Sequence, residues 1–418
     1  MALKRELGLL STTLYGIGII LGAGIYALIG VGAGLAGNML WLSFLISAVV
    51  AIFTGLSYAE LSSMFPKAAA EYYYTKKAFN FELFSFVIGW ILVIGTAIAA
   101  STVALGFAGY FVSLFGGEKS IVAIGLIVLM SALNYVGIRE SAKFNNIASV
   151  VEASGLLLVV AVWLLFPPEV PGDLLQFPET GFAGIAGAIG VIFFAYIGFQ
   201  NIANLSEEVK DSRKNIPLAL IISLLISTVL YMLVSVAAVA ELGSKVLSES
   251  DAPLTMVVTR GLGEYASILS IIALFATGNT VLIFLIAASR ILYGMSEGKS
   301  LPAFFSKTDS HGTPLYSILT IGLLAAIISL FGDIKTIAQL TDLGVFIAYA
   351  AVNAALIAMA GRKLKRPFTS PRFAGLPLLA WLGLISSLLM LLAFALELWT
   401  LQIAVILAGL VLFKISKK

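Results

Sequence analysis

The sequence predicts an all-α polytopic membrane protein with twelve transmembrane helices, arranged as a five-plus-five inverted repeat in which helices 1 and 6 are broken. Composition is the first observation, because 60% of the 418 residues are hydrophobic and only 11% are charged, whereas a soluble domain is about 25% charged. The second is that apolar runs long enough to cross a bilayer recur along the whole chain. The third is that glycines interrupt the first and the sixth of these runs near their middles.

Each span is predicted where an apolar run approaches about 20 residues, the length of helix that crosses the hydrocarbon core. The twelve spans are residues 9–34, 39–65, 83–115, 121–138, 145–166, 182–205, 217–240, 263–294, 315–331, 336–360, 374–395 and 399–414. The third and eighth runs are long enough to tilt strongly or to continue beyond the membrane. Pairing spans 1–5 with spans 6–10 divides the chain into residues 1–170, 171–362 and 363–418, and the last unit holds spans 11 and 12.

The basic residues are distributed unevenly between the connections. Of the 25 Lys and Arg residues, 21 lie before span 1, in the even-numbered connections, after span 12 or in the span ends that border these segments, and only Lys119, Lys245, Arg260 and Lys335 lie on the other side. Because Lys and Arg accumulate in cytoplasmic loops, both termini are predicted to be cytoplasmic, in the plasma or inner membrane of the cell. The connection over residues 167–181, predicted to be external, is acidic, in agreement with this orientation.

Motifs that would indicate other chemistry fail in their context. Cysteine is absent, which excludes disulfides and thiolate metal sites, and the single histidine, His311, is predicted to be an ordinary loop residue. The GxGxxG pattern at residues 32–37 ends a membrane helix instead of following a strand, and GMSEGKS at residues 294–300 is one residue short of a phosphate-binding loop. We therefore predict no catalytic activity, no cofactor, no metal site and no nucleic-acid partner. No cleavable signal peptide is expected, because the first apolar run is too long and lacks a small-residue processing site.

The stretch IGIILGAGIY, residues 17–26, lies in the middle of span 1 and is rich in glycine. Each glycine weakens a helix by roughly 1 kcal/mol relative to alanine, and glycine lets a ligand approach the backbone closely. A break in lipid leaves N–H and C=O groups with no water to pair with, so a break there indicates a binding site. The alternative is that these small residues only allow tight packing between helices.

Span 6 contains a similar stretch, GFAGIAGAIGVIFFAYIGFQ, residues 181–200. Its first four glycines recur every three residues and form a smooth face for helix packing, and Gly198 then falls near mid-membrane. Interrupted spans at corresponding positions in the two halves of a chain are the best sequence-level indication of a transporter binding site. The pair of stretches therefore favours a binding site over packing alone.

Five motifs occur in the order and spacing of a known group of proteins. They are ILGAGIYALIGVGAGLAGN in span 1, LSYAELSSMFPKAAAEYYYTKKAF after span 2, FFAYIGFQ in span 6, SEEVKDSRKNIPLALIISL into span 7, and SRILYGMSEGKSLPAFF after span 8. With these motifs the chain resembles the amino acid–polyamine–organocation (APC) superfamily, and within it the amino acid permeases close to the cationic amino acid transporters. The resemblance implies the leucine transporter-like fold and secondary active transport of amino acids by alternating access, coupled to protons or sodium. An amino acid exchanger and a polyamine permease remain the alternatives.

Two interpretations from other functional classes are weaker. An integral membrane enzyme acting on lipid would need a catalytic constellation at the interface, and the sequence shows none. A passive channel would need an open pore, whereas two broken helices suit occluded binding better.

An α-amino acid presents a carboxylate and an ammonium, and the free ends of two broken helices suit both. In span 1 the free N–H groups lie at the positive end of a helix dipole and are predicted to receive the carboxylate. In span 6 the free carbonyls are predicted to receive the ammonium, and the family resemblance implies the same placement. The N–H groups are those around Ala23, Gly24 and Ile25, and the carbonyls are those of Phe194, Ala195 and Ile197.

Four further residues complete the candidate substrate site. Ile20 and Gly22 lie at the break of span 1, and Tyr196 and Phe199 lie within the break of span 6. Tyr196 and Phe199 are predicted to select the substrate side chain, and one of the rings in residues 193–199 is expected to close over the substrate as an outer gate. Because backbone groups perform the recognition, no charged side chain is required.

Span 5 carries a polar stripe, because Asn145, Ser149 and Glu152 fall at i, i+4 and i+7 on an apolar helix. A carboxylate inside the membrane costs roughly 3 kcal/mol, so its presence indicates a function. Proton-coupled relatives that resemble this chain carry a lysine here; Glu152 is predicted to carry the coupling proton or to help ligate a cation. The alternative is a protonated residue with a structural role. The other candidate ion-coupling residues are Gly18 and Leu21 in span 1 and Gly278, Asn279 and Thr280 in span 8.

Further polar residues bear on selectivity and gating. Gln200 stands where close relatives often have an acid, which weakens any preference for cationic side chains, and Asp342 is placed near the outer mouth of span 10. An inner gate is expected among charged residues at the cytoplasmic ends of the spans, because ion pairs that differ between two states bias their equilibrium; a plain anchoring role is the alternative. The candidates are Glu60, Lys67, Glu207, Glu208, Lys210, Arg213 and Arg290.

Overall fold

The structure, a computed structural model, describes residues 3–169, 172–250, 252–309, 312–331, 334–392 and 394–416. Regular structure within these residues is helical, apart from two isolated bridges that join Leu7 to Val209 and Phe373 to Leu376. His311, predicted to be a loop residue, lies outside the described residues. Helices dominate because a helix pairs its own backbone groups, which an apolar chain in lipid has to do.

Fifteen α-helices follow one another along the described residues. They are α1 (Leu9–Ala36), α2 (Leu40–Met64), α3 (Ala70–Phe79), α4 (Glu82–Phe115), α5 (Lys119–Val136), α6 (Ile138–Leu165), α7 (Gly181–Ile192), α8 (Asn201–Asn204), α9 (Ser212–Glu249), α10 (Pro253–Leu262), α11 (Ile268–Glu297), α12 (Leu315–Phe331), α13 (Ile334–Met359), α14 (Leu378–Leu391) and α15 (Leu396–Ser416). Short 3-10 helices cover Gly37–Met39, Phe193–Tyr196, Gly263–Ser267 and Ala303–Ser306.

Ten stretches of the described residues are helical, long and apolar enough to cross a membrane, and two shorter apolar helices cover Leu315–Leu330 and Leu378–Leu391. The chain is therefore an all-helical, multi-pass membrane protein. Two helices were not predicted: α3 lies in the connection between spans 2 and 3, and α10 precedes span 8. Both have only ten residues, too few to cross a membrane, so hydropathy over a 20-residue window does not detect them.

Both glycine-rich stretches interrupt their helices. In α1 the backbone leaves helical geometry at Gly22, with φ −28° and ψ −148°. After α7, the 3-10 turn Phe193–Tyr196 leads to Ile197 in an extended conformation and then to Gly198 with φ +121°, before α8 begins. A residue with a β-carbon is strained at such a positive φ, so glycine at this position permits the break.

The residues on both sides of each break are buried, so the breaks lie inside the bundle. There α1 packs chiefly along α9, and α4 packs along α11. The outer faces carry large apolar side chains, and Leu388 and Leu389 of α14 and Val411 and Leu412 of α15 are all exposed. In water such a surface would favour association, whereas lipid tails solvate leucine as well as a protein interior does.

Candidate functional site

The two helix breaks lie against each other. A β-carbon at Gly24, just after the break of α1, would lie 2.8 Å from the Cα atom and 3.0 Å from the Cβ atom of Ala195. A β-carbon at Gly198 would lie 2.8 Å from the Cγ1 atom of Ile19. Such close approach requires residues without a β-carbon, so the glycines of the two stretches bring both breaks to one place.

A cavity of about 50 Å³ lies at this contact. It is lined by six of the residues predicted from the sequence: Ile20, Gly24, Phe194, Ala195, Ile197 and Thr280. The other lining residues are Ile19, Thr96, Ala99, Thr102, Val103, Gln200, Asn201, Phe284, Thr341 and Val345. Five helices (α1, α4, α8, α11 and α13) and both breaks therefore line one cavity.

The lining of the cavity is uncharged. Its polar side chains are threonines and the amides of Gln200 and Asn201, and no acidic or basic residue occurs among the described residues that line it. Gln200 is held in place because its Oε1 atom accepts hydrogen bonds from the Gly198 N–H at 2.9 Å and from the Tyr349 hydroxyl at 2.7 Å. Such a lining suits a neutral or zwitterionic molecule, since it offers no counter-ion to a charged side chain.

A tyrosine from α9 connects the two breaks. The buried Tyr231 hydroxyl lies within hydrogen-bond reach of the Ile20 carbonyl and 3.1 Å from the Ala195 carbonyl. A hydroxyl has one proton and donates to one carbonyl at a time, so these carbonyls retain capacity for a further donor. Tyr231 was not predicted from the sequence, where its only signal is a single tyrosine ring in the apolar run of span 7.

The two rings predicted to select the substrate side chain point away from the cavity. The Tyr196 hydroxyl donates to the Phe44 carbonyl at 3.2 Å, which turns this ring toward α2. Phe199 stacks on Tyr349, with ring centroids 5.3 Å apart. The 3-10 turn that ends at Tyr196 and the extended Ile197 after it rotate the chain, so Phe194 and Ile197 face the cavity instead.

The remaining predicted substrate residues lie beside the cavity. A β-carbon at Gly22 would lie 2.5 Å from the Thr280 hydroxyl oxygen, so Gly22 brings α1 against α11. Ile25 is fully buried in the core, and the backbone of Ala23 lies within α1. The prediction for Ala23 and Ile25 concerned only their backbone N–H groups.

Polar side chains from α6 and α11 surround the first half of α1. A β-carbon at Gly18 would collide with the Ser149 hydroxyl and would lie 2.6 Å from the Nδ2 atom of Asn279. The Asn279 amide donates to the Ser149 hydroxyl at 3.4 Å, and that hydroxyl donates to the Leu14 carbonyl at 3.0 Å. The structure therefore brings together two candidate ion-coupling residues, Gly18 and Asn279, with Ser149 of the polar stripe.

Glu152 lies apart from these hydrogen bonds. It is fully buried, and neither of its carboxyl oxygens has a hydrogen-bond partner among the described residues. Tyr26 and Tyr231 lie within electrostatic range of the carboxyl. Leu21 is buried in the core. A β-carbon at Gly278 would point toward α4 and α5, so only the backbone of Gly278 is available to the candidate ion-coupling site.

Lys67 joins two other elements at the end of the bundle that carries the N-terminus. Its ammonium lies 3.1 Å from a carboxyl oxygen of Glu207 and 3.2 Å from one of Glu297. Partial burial disfavours the charged ammonium, but the two carboxylates outweigh it and raise the pKa of Lys67. Burial, together with the nearby Glu297 carboxylate, raises the pKa of Glu207 despite its pairing with Lys67.

Arg290 forms a second connection at this end. It is fully buried, and its guanidinium lies 2.8 Å from an oxygen of Glu208, 2.8 Å from the Asn134 amide oxygen and 3.1 Å from the Ser289 hydroxyl. These bonds hold α11 to α5 and to the segment after α8. Of the other candidate gate residues, Lys210 and Arg213 are exposed.

Glu60 forms a third connection. This fully buried carboxylate of α2 accepts hydrogen bonds from Arg366, from Arg372 at 2.7 Å and from the Ser370 hydroxyl at 2.6 Å. It thereby fastens the connection between α13 and α14 to α2. Asp342, in α13, is half-buried, and its Oδ1 atom has no hydrogen-bond partner among the described residues.

The comparisons with known proteins agree on one family. The family of amino acid permeases matches residues 7–412. The chain is 30% identical to the branched-chain amino acid permease BcaP of Bacillus subtilis (strain 168), across 94% of this chain and 88% of that protein. It is 30% identical to the methylthioribose transporter of the same organism, across 91% and 87%. It is 31% identical to the cationic amino acid transporter 3, mitochondrial, of Arabidopsis thaliana, across 82% and 60%.

Proposed function

Because the chain belongs to the amino acid permease family, whose relatives are named as transporters and not as enzymes, we propose that it is a secondary active transporter that carries amino acids by alternating access. The observation that supports this best is the contact between two broken helices beside an uncharged cavity. Broken helices supply backbone groups to a charged substrate without the burial of charged side chains.

The proposed architecture has twelve spans. Residues 1–170 and 171–362 form the two inverted repeats, and residues 363–418 add two spans. The breaks at Gly22 and Gly198 then occupy equivalent places in the two repeats, as this architecture requires. Both termini lie in the cytoplasm of a cell whose plasma or inner membrane holds the protein, because 21 of the 25 basic residues fall on the side of the termini.

The substrate carboxylate binds at the N–H groups that follow the break of α1, at Gly24 and its two neighbours. The ammonium binds at the carbonyls of Phe194, Ala195 and Ile197. An ammonium offers three charge-assisted donors, so it displaces the single hydroxyl donor of Tyr231 from the Ala195 carbonyl. In the empty site Tyr231 therefore stabilises the carbonyls that the substrate later uses.

The substrate side chain is small and uncharged. A cavity of about 50 Å³ is a small space, since one water needs roughly 10–15 Å³. The lining offers no carboxylate to a cationic side chain or to a polyamine, and its Gln200 carries an uncharged amide. Glycine, alanine and serine fit these conditions better than arginine or putrescine.

Liposomes that contain the purified protein are expected to accumulate radiolabelled alanine when a proton or a sodium gradient is imposed. Unlabelled glycine and serine are expected to compete, whereas arginine and putrescine are not. Imposing the proton gradient alone and the sodium gradient alone identifies the coupling ion. If uptake needs no ion gradient but requires unlabelled amino acid inside the liposomes, the protein is an exchanger. If no amino acid is accumulated or exchanged, the proposed function is wrong.

Glu152 is the proposed coupling group. A buried carboxyl without a hydrogen-bond partner remains neutral unless a cation accompanies it. Among the described residues, no cationic side chain interacts with the Glu152 carboxyl. The carboxyl therefore carries the coupling proton, or it binds a cation together with the carbonyls of Gly18 and Leu21 and the side chains of Asn279 and Thr280.

Replacing Glu152 with glutamine is expected to abolish gradient-driven accumulation of alanine while exchange of alanine persists. Glutamine has nearly the same size but neither binds a proton in this range nor carries a negative charge. The measurement is uptake against pH and against sodium, with the exposed Glu169→Gln as the control. An unchanged rate and ion dependence would remove Glu152 from the mechanism.

A further inference from the structure

Glu71 is a buried carboxyl that the proposed mechanism does not use. It lies in the first turn of α3, where it is 1% exposed. Its Oε1 atom accepts a hydrogen bond from the Tyr58 hydroxyl of α2 at 3.0 Å, and its Oε2 atom has no hydrogen-bond partner among the described residues. The Asn204 amide of α8 also faces the carboxyl without closing a hydrogen bond to that oxygen.

The charged residues around α3 are engaged elsewhere. Lys76 of α3 pairs with Glu82 of α4 at 3.7 Å, and Lys67 pairs with Glu207. Arg362, which follows α13, donates to the carbonyls at the C-terminal end of α3. The titratable groups that face Glu71 are Tyr58 of α2, Tyr74 of α3 and Tyr349 of α13. None of the three carries a charge at neutral pH.

Together these surroundings place the pKa of the Glu71 carboxyl close to neutral pH. Burial raises the pKa of Glu71 to about 7, while its own backbone N–H, the Tyr58 hydroxyl and the Asn204 amide favour the carboxylate and limit the rise. The carboxyl therefore changes its charge within the pH range of a cell interior.

A continuous set of contacts leads from Glu71 to the cavity. The Tyr58 ring packs edge-on against Phe199 at 5.9 Å and against Tyr349 at 6.0 Å. The Tyr349 hydroxyl in turn donates to Gln200, which lines the cavity. The Ala70 N–H donates to the Asn204 side chain at 2.8 Å, so α3 is also attached to the half-helix that follows the second break.

We propose that Glu71 is a proton-binding site that controls opening of the bundle at the end that carries the N-terminus, which is the cytoplasmic side in the proposed function on which this inference rests. The protonated carboxyl is neutral, stays buried between α2, α3 and α8, and keeps this end closed. When it transfers its proton to water at that side, the carboxylate requires hydration that the closed bundle does not supply. Ionisation therefore favours a state in which α3 separates from α8.

Exchange of labelled for unlabelled alanine in liposomes tests this proposal, with the same pH on both sides and a series from pH 5.5 to 8.5. The wild-type rate is expected to rise through about pH 7, because such a group passes from about 10% to about 90% ionised between pH 6 and 8. Glu71→Gln, which cannot ionise, is expected to keep the low acidic-side rate throughout. The control is Glu140→Gln, whose carboxylate is exposed and paired with Lys143; it is expected to follow the wild-type profile.

A second variant tests the position of the midpoint. Tyr58→Phe keeps the ring and removes the donor to the carboxylate, so the pKa of Glu71 rises and the midpoint is expected to move to higher pH by up to about one unit. A Glu71→Gln variant with the wild-type pH profile, or a Tyr58→Phe midpoint moved to lower pH, would overturn the proposal.

Thermal unfolding provides a readout that does not depend on transport. The pKa of Glu71 in the folded protein, about 7, exceeds the ordinary value of 4.5, so the wild type loses stability as pH rises between these values. The melting temperature of Glu71→Gln relative to the wild type is therefore expected to increase from pH 5 to 8. If the difference in melting temperature between Glu71→Gln and the wild type stays constant with pH, the proposal for Glu71 is wrong. If this difference increases as expected but the wild type exchanges no alanine, only the proposed function is contradicted.

Discussion

Gly24→Val is expected to reduce amino acid uptake strongly while the protein still inserts into the membrane. The β-carbon would lie 2.8 Å from the Cα atom of Ala195, and a backbone atom cannot rotate out of the way as a side chain can. Overpacking of this kind costs about 1–3 kcal/mol, and the two methyl groups of valine would also enter the cavity. Since about 1.4 kcal/mol corresponds to a tenfold change, the initial rate of alanine uptake is expected to fall by about 5-fold to 150-fold.

The matched control is Gly190→Val in α7. The same side chain is introduced beside the second break, but a β-carbon at Gly190 would meet no heavy atom within 4 Å. Uptake by this variant is expected to stay within about twofold of the wild type, because surface substitutions change free energies by about 0.5 kcal/mol or less. Equal uptake by the two variants, after correction for the amount of protein in the liposomes, would show that transport does not require close contact between the breaks.

The long helices were predictable from the sequence because lipid restricts the chain. An apolar segment in the membrane has to pair its own backbone groups, so hydropathy alone indicated α2 and α4 within a few residues of their ends. In contrast, α3 has no comparable signal. Contacts with distant residues hold it, such as the bond from the Ala70 N–H to Asn204 and the pairing of the Tyr72 and Ser300 hydroxyls at 2.8 Å.

The candidate site was predictable where its geometry is encoded locally. Close approach of two backbones requires residues without a β-carbon, and Gly24 and Gly198 therefore marked the contact in advance. The direction of each side chain depends on rotation of the chain through the break, which sequence spacing does not specify, so Tyr196 was assigned to the cavity although its hydroxyl binds a carbonyl of α2. Tyr231 comes from a helix that packs on both breaks, and only the tertiary arrangement reveals its contact with them.

Charge is distributed along the bundle in a way that fits alternating access. The cavity is lined by uncharged residues, whereas the end that carries the N-terminus is held by ion pairs of very different exposure. An exposed pair adds little stability and opens readily, while a buried pair resists separation because either charge alone would be buried without a partner. The pair between Arg290 and Glu208 is of the second kind, so it is expected to act as a fixed point around which more exposed pairs exchange.

Arg290→Met is therefore expected to destabilise the protein by about 3–5 kcal/mol, the cost of leaving a buried charge unpaired. Both side chains are nearly inaccessible, at 1% for Arg290 and 2% for Glu208, and the Asn134 amide oxygen would lose its bond as well. Thermal or denaturant unfolding in detergent measures the change. The double variant with Glu208→Gln is expected to recover part of the loss, because the carboxylate that the single variant leaves unpaired is then absent. Lys143→Met, which breaks an exposed pair with Glu140, is expected to cost less than about 1 kcal/mol; similar losses for Arg290→Met and Lys143→Met would contradict the role of Arg290 as a fixed point.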